Sequence, residues 1–273
     1  MAGTLEQFIR FGTDASGLER TFRLLQALAQ TLLFFLPARA LLFRLLTDWV
    51  WIWNAAADED TAKLETATLA ALGDLRARFA LGRRFFRVFR FLESFSAAWA
   101  LLPVAREGGG VLTWLEISAR SFNGMYLLLE TLHFPEALGI GGVSVWGAER
   151  ARVLHVEGQR FWFFALVCGV MVGVGRVVEL WGQERGQEQG GVQDGEKKEK
   201  DLEEVRKKRR EVMRRTLRRL VADVLDLAVP GAVVGWVPVS PGVVGVMMLG
   251  STWLTAAEVW ERCGREIDAG KST

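Results

Sequence analysis

The chain has 273 residues, half of them hydrophobic, and its 34 Lys and Arg are nearly balanced by 32 Asp and Glu. That length allows one or two domains with a core, and the net charge of +2 says little taken whole, because the Arg and Lys are clustered and the acids spread elsewhere. Eleven Trp and seventeen Phe against a single Tyr, with a mean hydropathy of +0.17, argue against an ordinary soluble enzyme and for a membrane-associated chain.

The first residues, MAGTLEQFIR, lack the basic and apolar regions of a secretory signal, so export is not expected. Asp14 or Ser16 can cap a helix in which Leu18, Phe22, Leu25, Ala29 and Leu32 alternate with Glu19, Arg23, Gln26 and Gln30. Pro37 interrupts it, and a second pattern carries Leu41, Leu45, Trp49 and Trp53 to a break near Asn54. Asp58, Glu59 and Asp60 then place negative charge where the next helix begins, which its dipole favours.

That helix leads into residues 76–95, RARFALGRRFFRVFRFLESF. At about 100° per residue, Arg76, Arg83, Arg87 and Arg90 share an arc of roughly 60°, with Leu81, Phe85, Val88, Phe89, Leu92 and Phe95 opposite. One continuous amphipathic helix is expected, and two placements fit it. At a bilayer surface the Arg groups meet lipid phosphate while the rings sink among acyl carbons. In a helical bundle the Phe side packs inward and the Arg side faces water. The membrane-binding candidates are Arg76, Arg83, Arg84, Phe85, Arg87, Phe89 and Arg90.

Gly108, Gly109 and Gly110 end this helix, and another runs from about Val111 to His133, stopping at Pro135 and Gly139, Gly141 and Gly142. A further helix starts near Ser144 and enters an apolar run in which residues 161–175 carry no charge. Residues 161–181 are a candidate transmembrane helix if Arg176 snorkels, and Gly169 and Gly173 form a GxxxG pair that permits close helix approach. Residues 182–200 are polar and Gly/Gln/Glu-rich and predict a disordered linker. Residues 201–226 predict a basic amphipathic helix with Val205, Val212, Thr216, Leu217 and Leu220 on one face, either solvated or drawn to anionic lipid. Residues 227–260 form a second apolar region, uncharged through Ala257. Its Pro230, Pro238 and Pro241 restrict the spanning helix to 241–260, with a short apolar helix or re-entrant segment before it and a tail at 261–273.

Alternation of the β type persists nowhere, so the expected fold class is an all-α membrane protein. It has amphipathic helices within residues 1–160 and one or two transmembrane helices in the C-terminal half. Cys168 and Cys263 make no disulfide framework and read as reduced thiols. His133 and His155 are not at metal-ligand spacing with Cys or paired carboxylates, and no nucleophile elbow, P-loop or dinucleotide-binding motif occurs. Glu116, Ser118 and Ser121 have no base nearby in sequence and read as ordinary helix-surface residues. No catalytic residue, cofactor site or metal site is expected, and an enzyme is not.

Three segments together resemble the peroxisomal biogenesis factor 11 family. GLERTFRLLQALAQ, residues 17–30, is similar to the family's G-R-E-K-x-x-R-x-x-Q pattern at Glu19, Arg23 and Gln26, with Leu18 for the usual Arg and Arg20 for the usual Lys. GRRFFRVFRFLESF resembles the A-R-K-x-x-R-L-G-K-x-x-E core at Arg83, Arg84, Arg87, Arg90 and Glu93, with Phe89 where Gly is common. The closing segment is similar to the family at Asp226, Gly242, Gly245, Ser251 and Thr252, of which Gly242, Gly245, Ser251 and Thr252 join Gly169 and Gly173 as helix-packing candidates. The pattern looks most like the gamma or C-type branch found in fungi.

The resemblance implies a protein of the peroxisomal membrane that inserts amphipathic helices to curve and elongate it and so promotes proliferation and fission. It implies an anionic phospholipid membrane as partner, self-association, and contact with fission factors and a membrane-protein import receptor. No nucleic-acid partner is implied. A metabolite channel and a passive adaptor for fission factors are the alternatives; the polar residues of the two candidate spans, Arg176, Glu179, Ser251, Thr252 and Thr255, are a thin lining for a pore. The thirteen Arg and Lys of residues 182–226 would by the positive-inside rule face the cytosol, whereas the family suggests cytosolic termini, and the latter topology is adopted.

Overall fold

A computed structural model describes residues 2–53, 61–140, 144–189 and 196–271. Among them there is no strand, and ten helices follow in order. They are α1 (Ala2–Thr13), α2 (Ala15–Phe34), α3 (Leu36–Trp53), α4 (Thr61–Phe85), α5 (Arg90–Arg106), α6 (Val111–Ala137), α7 (Ala148–Gln189), α8 (Glu196–Asp226), α9 (Ala228–Val234) and α10 (Pro241–Lys271). The acidic triplet at 58–60 and the glycines at 141 and 142 lie outside the described residues.

Local chemistry sets the breaks. The Asp14 carboxylate caps α2 by accepting from the amides of Ser16 at 2.8 Å and Gly17 at 3.0 Å. The chain turns by 90° between α2 and α3, and Pro37 falls in the first turn of α3, where its missing N–H costs nothing. Gly108, at φ +110°, takes the chain out of α5 in a conformation that disfavours a side chain. The α6–α7 corner is held by Glu136, which accepts from the amides of Trp146 at 2.6 Å and Gly147 at 3.2 Å, while the Trp146 indole donates to the Leu132 carbonyl at 2.7 Å.

Two sequence expectations are corrected here. Residues 76–95 are not one helix: α4 ends at Phe85, a turn covers 86–89, and α5 leaves at 50°. The turn is tightened by bonds from the Arg87 amide to the Arg84 carbonyl at 2.9 Å and from the Arg90 amide to the Arg87 carbonyl at 3.0 Å. Residues 182–200 are not a continuous linker either. α7 runs on to Gln189 and α8 starts at Glu196, because the Gln, Glu, Arg and Lys there favour helix strongly enough to carry Gly182; residues 190–195 lie outside the described residues.

Six helices close a ring. α2 packs between α4 and α10, α10 against α8, α8 against α7, and α7 against α6, which touches α4 in turn. α5 lies along α6, and α9 fits against α7. Within the ring Tyr126, Leu127, Trp162 and Leu166 form an apolar cluster, with the Tyr126 and Trp162 rings stacked at 5.1 Å.

Beside that apolar cluster, small and hydroxylated side chains are buried at helix contacts and many large apolar ones stand outside. The most completely buried side chains include Ser251, Thr252 and Cys263, whereas Trp99 and Trp253 are 75% and 71% exposed. Small and hydroxylated residues at helix contacts with large apolar groups outside suit a hydrocarbon surrounding. Two helical segments are long and apolar enough to cross a membrane, Ala148–Gln183 and Pro241–Ala269. They contain the predicted 161–181 and 241–260, and the second begins at the expected Pro241.

Candidate functional site

The inner face of α2 is built from every fourth residue: Glu19, Arg23, Ala27 and Thr31 are buried, while Leu25, Leu28 and Phe34 are exposed. Helical periodicity was therefore read correctly in α2 but its inner side is the polar one. Arg23 Nη2 donates to Asp226 at 2.5 Å, across 203 residues of sequence, and both side chains are more than nine-tenths buried. The Ser251 hydroxyl lies 3.5 Å from the same nitrogen. Glu19 accepts from Arg90 Nη1 at 2.8 Å and has Arg87 Nε at 3.8 Å. Arg87 Nη2 then donates to Glu130 on α6 at 2.6 Å, where the Tyr126 hydroxyl also donates at 3.2 Å and Arg84 Nε lies at 3.7 Å. The three sequence motifs thus converge on one buried knot of ion pairs.

The expected lipid-facing Arg stripe is corrected by this geometry. Arg83 and Arg87 are buried, Arg76, Arg84 and Arg90 are half-buried, and the Arg76 guanidinium sits 5.6 Å above the Phe34 ring. For Arg84, Arg87 and Arg90 the reason is charge pairing: Glu19 and Glu130 stand on the helices either side, and a guanidinium leaves water when its counter-charges are already in place. The other half of the pattern points outward, with Phe85 67% and Phe89 72% exposed.

The predicted helix-packing residues lie at crossings. A Cβ on Gly242 would stand 2.7 Å from the Phe34 carbonyl oxygen, and one on Gly245 2.7 Å from Thr31 Oγ1. Gly169 and Gly173 face α8, where a Cβ would come within 3.2 Å of Asp223 and 3.1 Å of Leu220. Ser251 and Thr252 are fully buried and return their hydroxyls to the Met248 carbonyl at 3.2 and 2.5 Å.

Beside the knot the ring encloses a cleft of about 680 Å³, lined by polar groups including Arg20, Arg90, Glu116, Arg176 and Arg219 and by the Trp162 indole. Glu116 is paired with Arg120 at 2.7 Å and with Arg176. Asp223 lies 3.2 Å from Arg219; burial pushes its carboxyl above the usual carboxylate range, against the pull of that guanidinium. Sequence reasoning missed Glu130, Glu116 and the convergence on Glu19. The available signal was Glu130 itself, a lone acid in the apolar run Leu127 to Leu132. His133 and His155 come together, rings 5.4 Å apart, yet no group of His, Cys, Asp or Glu suited to a metal occurs among the described residues. Cys168 is half-buried and Cys263 buried, both as free thiols.

The family model for peroxisomal biogenesis factor 11 matches residues 55–260. No curated protein and no solved structure matches the chain.

Proposed function

The chain belongs to the peroxisomal biogenesis factor 11 family, a protein of the peroxisomal membrane acting in peroxisome proliferation, and on that premise we propose that its bent α4–α5 pair is a wedge that curves and elongates the membrane. The observation that carries the proposal is the split of one short segment: Arg83 and Arg87 turn into the ion-pair knot while Phe85 and Phe89 project outward. Leu92 and Trp99 extend the exposed apolar edge along α5. The knot thus acts as the rigid mount and the rings as the insert. Rings buried 5–10 Å into one leaflet expand it relative to the other, and bending relieves the mismatch.

Two anchors hold the mount, α7 and α10. The Arg10 guanidinium meets Glu266 at 2.8 Å and Asp14 meets Arg262 at 2.9 Å, so the beginning of the chain docks on the C-terminal end of α10 and both termini share one side. We assign that side to the cytosol, where protease on intact organelles should remove tags from both ends. Self-association through the apolar edge, with recruitment of fission factors and delivery by a membrane-protein import receptor, completes the reading.

The test is tubulation of anionic liposomes by the full-length protein. Phe85→Ser with Phe89→Ser should insert normally, because neither ring is buried in the protein, and should fail to tubulate. Each ring contributes roughly 1.5–3 kcal/mol when buried in hydrocarbon. Tubulation by the double variant at the wild-type level would refute the wedge.

A second reading, a conduit for small metabolites, is favoured by one feature. The polar lining that the two spans lack is supplied by α2, α5, α6 and α8 around the cleft. Solute-dependent conductance in planar bilayers, altered by Arg176→Gln, would support it.

A further inference from the structure

The ion-pair knot does not balance. Glu19, Glu130 and Asp226 take up Arg23, Arg84, Arg87 and Arg90. Arg83 is 8% exposed, and no carboxylate among the described residues lies within ion-pair distance of it or of Arg20. Burial is the main penalty on both; Arg83 is further repelled by Arg87 and Arg23, while Arg20 feels Glu19 and Asp226 as well as the repulsion of Arg23 and Arg219. Arginine keeps its proton under any condition a folded protein meets, so this surplus cannot be relieved by neutralisation. A buried, uncompensated guanidinium is costly, and an anion from outside is the remaining relief.

The cleft is where such an anion fits. Arg20, Arg23 and Arg87 all line it, and the Nε of each is buried and donates to nothing in the protein. The carboxylates on the same walls are already engaged: Glu19 and Glu93 by Arg90, Asp226 by Arg23, Asp223 by Arg219, and Glu116 by Arg120 and Arg176. Glu258 acts on Arg219. Planar N–H forks around a concave space match the tetrahedral oxygens of phosphate, which accept two parallel bonds from one guanidinium.

We propose that this cleft binds one phosphate group, held by Arg20, Arg23 and Arg87 and carried by either a lipid headgroup or a small phosphorylated solute. The bound group offsets the unpaired charge of Arg20 at the cleft wall and so stiffens the joint between α2, the 86–89 turn and α8. The site stands independently of whether the Phe edge bends membranes.

The experiment uses the full-length protein in nanodiscs of phosphatidylcholine. In one arm inorganic pyrophosphate is titrated at constant ionic strength and binding is read from the change in intrinsic Trp fluorescence and the thermal unfolding midpoint. In the other, nanodiscs containing phosphatidic acid are examined by native mass spectrometry for one retained lipid per chain. Saturable one-to-one binding is expected in at least one arm, and which arm responds identifies the source. Arg20→Gln breaks no ion pair and should weaken that binding at least about tenfold. Arg20→Lys keeps the charge without the fork and should fall between; it carries the test if the Gln variant fails to fold. Arg206→Gln, on the exposed surface of α8, should bind as wild type. No saturable binding in either arm, or equal losses in Arg20→Gln and Arg206→Gln, would overturn the proposal.

Discussion

Two stretches of this chain are basic amphipathic helices by sequence, 76–95 and 201–226, and they are used in opposite ways. In the first, Arg83 and Arg87 are buried, and the partners of Arg87 lie on other helices, Glu19 on α2 and Glu130 on α6. In α8 the bases up to Arg215 mostly face outward, with pairs along their own helix, Lys208 with Glu204 at 2.7 Å and Arg215 with Glu211, and toward its C-terminal end Arg218 turns in to Glu261 on α10 at 2.9 Å. Periodicity says that a charged stripe exists; it does not say which way the stripe points. Direction is decided by where the opposite charges sit, because local i,i+4 pairs leave a stripe free to stay in water, whereas distant carboxylates in apolar helices draw it inward.

The comparison breaks most visibly at Asp226. Asp226→Asn leaves Arg23 buried without its counter-charge and should destabilise the detergent-solubilised protein by about 3–5 kcal/mol, read from thermal or chemical unfolding. Lys208→Ala, which removes an exposed pair on α8, should leave the unfolding midpoint unchanged, because solvent screens that pair. Similar losses in the two variants would mean that the buried knot and the surface ladder are energetically alike. Arg23→Met with Asp226→Leu then sharpens the point, since replacing both partners by apolar groups should recover most of the loss.

A smaller effect is expected where the knot meets a close helix crossing. Gly245→Val would force branched carbons against Thr31, where even a Cβ stands 2.7 Å away, and should cost about 1–3 kcal/mol through displacement of α10 from α2. Gly182→Val meets nothing within 4 Å and serves as the control, with no loss beyond the surface range. An unfolding midpoint unchanged in Gly245→Val would place the α2–α10 contact elsewhere.

How much of this was legible follows the same line. The all-α class, the proline that starts α10 and the apolar segments could be read because each is a local property of composition or spacing. Residues 76–95 could not be divided correctly, since the turn at 86–89 answers to Glu19 and Glu130, which lie far from it in sequence. The inward Arg side had a faint signature: Glu130 stands alone among leucines, and a carboxylate there requires a cation. The outward Phe side had none, because a ring in lipid and a ring in a bundle core produce the same pattern. The cleft was missed for a third reason, that its walls come from six helices and the polar groups facing it are scattered a few to each.

Three residues on from Glu130 along α6 lies His133, half-buried, its ring 5.4 Å from that of His155 and tilted 38° to it, and its Nδ1 without a hydrogen-bond partner. Burial first, and then the Arg84 guanidinium, hold its pKa below the ordinary value of 6.5, while Glu130 and Glu136 pull weakly the other way. The sign of the consequence is fixed. Above about pH 6.5 the imidazole is neutral in both folded and unfolded chains and contributes no pH dependence. As the pH falls below that value the unfolded chain takes up a proton that the folded chain resists, so stability declines until the lower folded pKa is passed. The unfolding midpoint should therefore drop as the pH falls below about 6.5, and His133→Phe should flatten part of that drop. If the profile of His133→Phe matches wild type while His155→Phe flattens it, the second ring is the one that titrates and the assignment to His133 fails. The effect should be smaller than that of Asp226→Asn, because a half-exposed imidazole is screened by solvent and the Arg23–Asp226 pair is not.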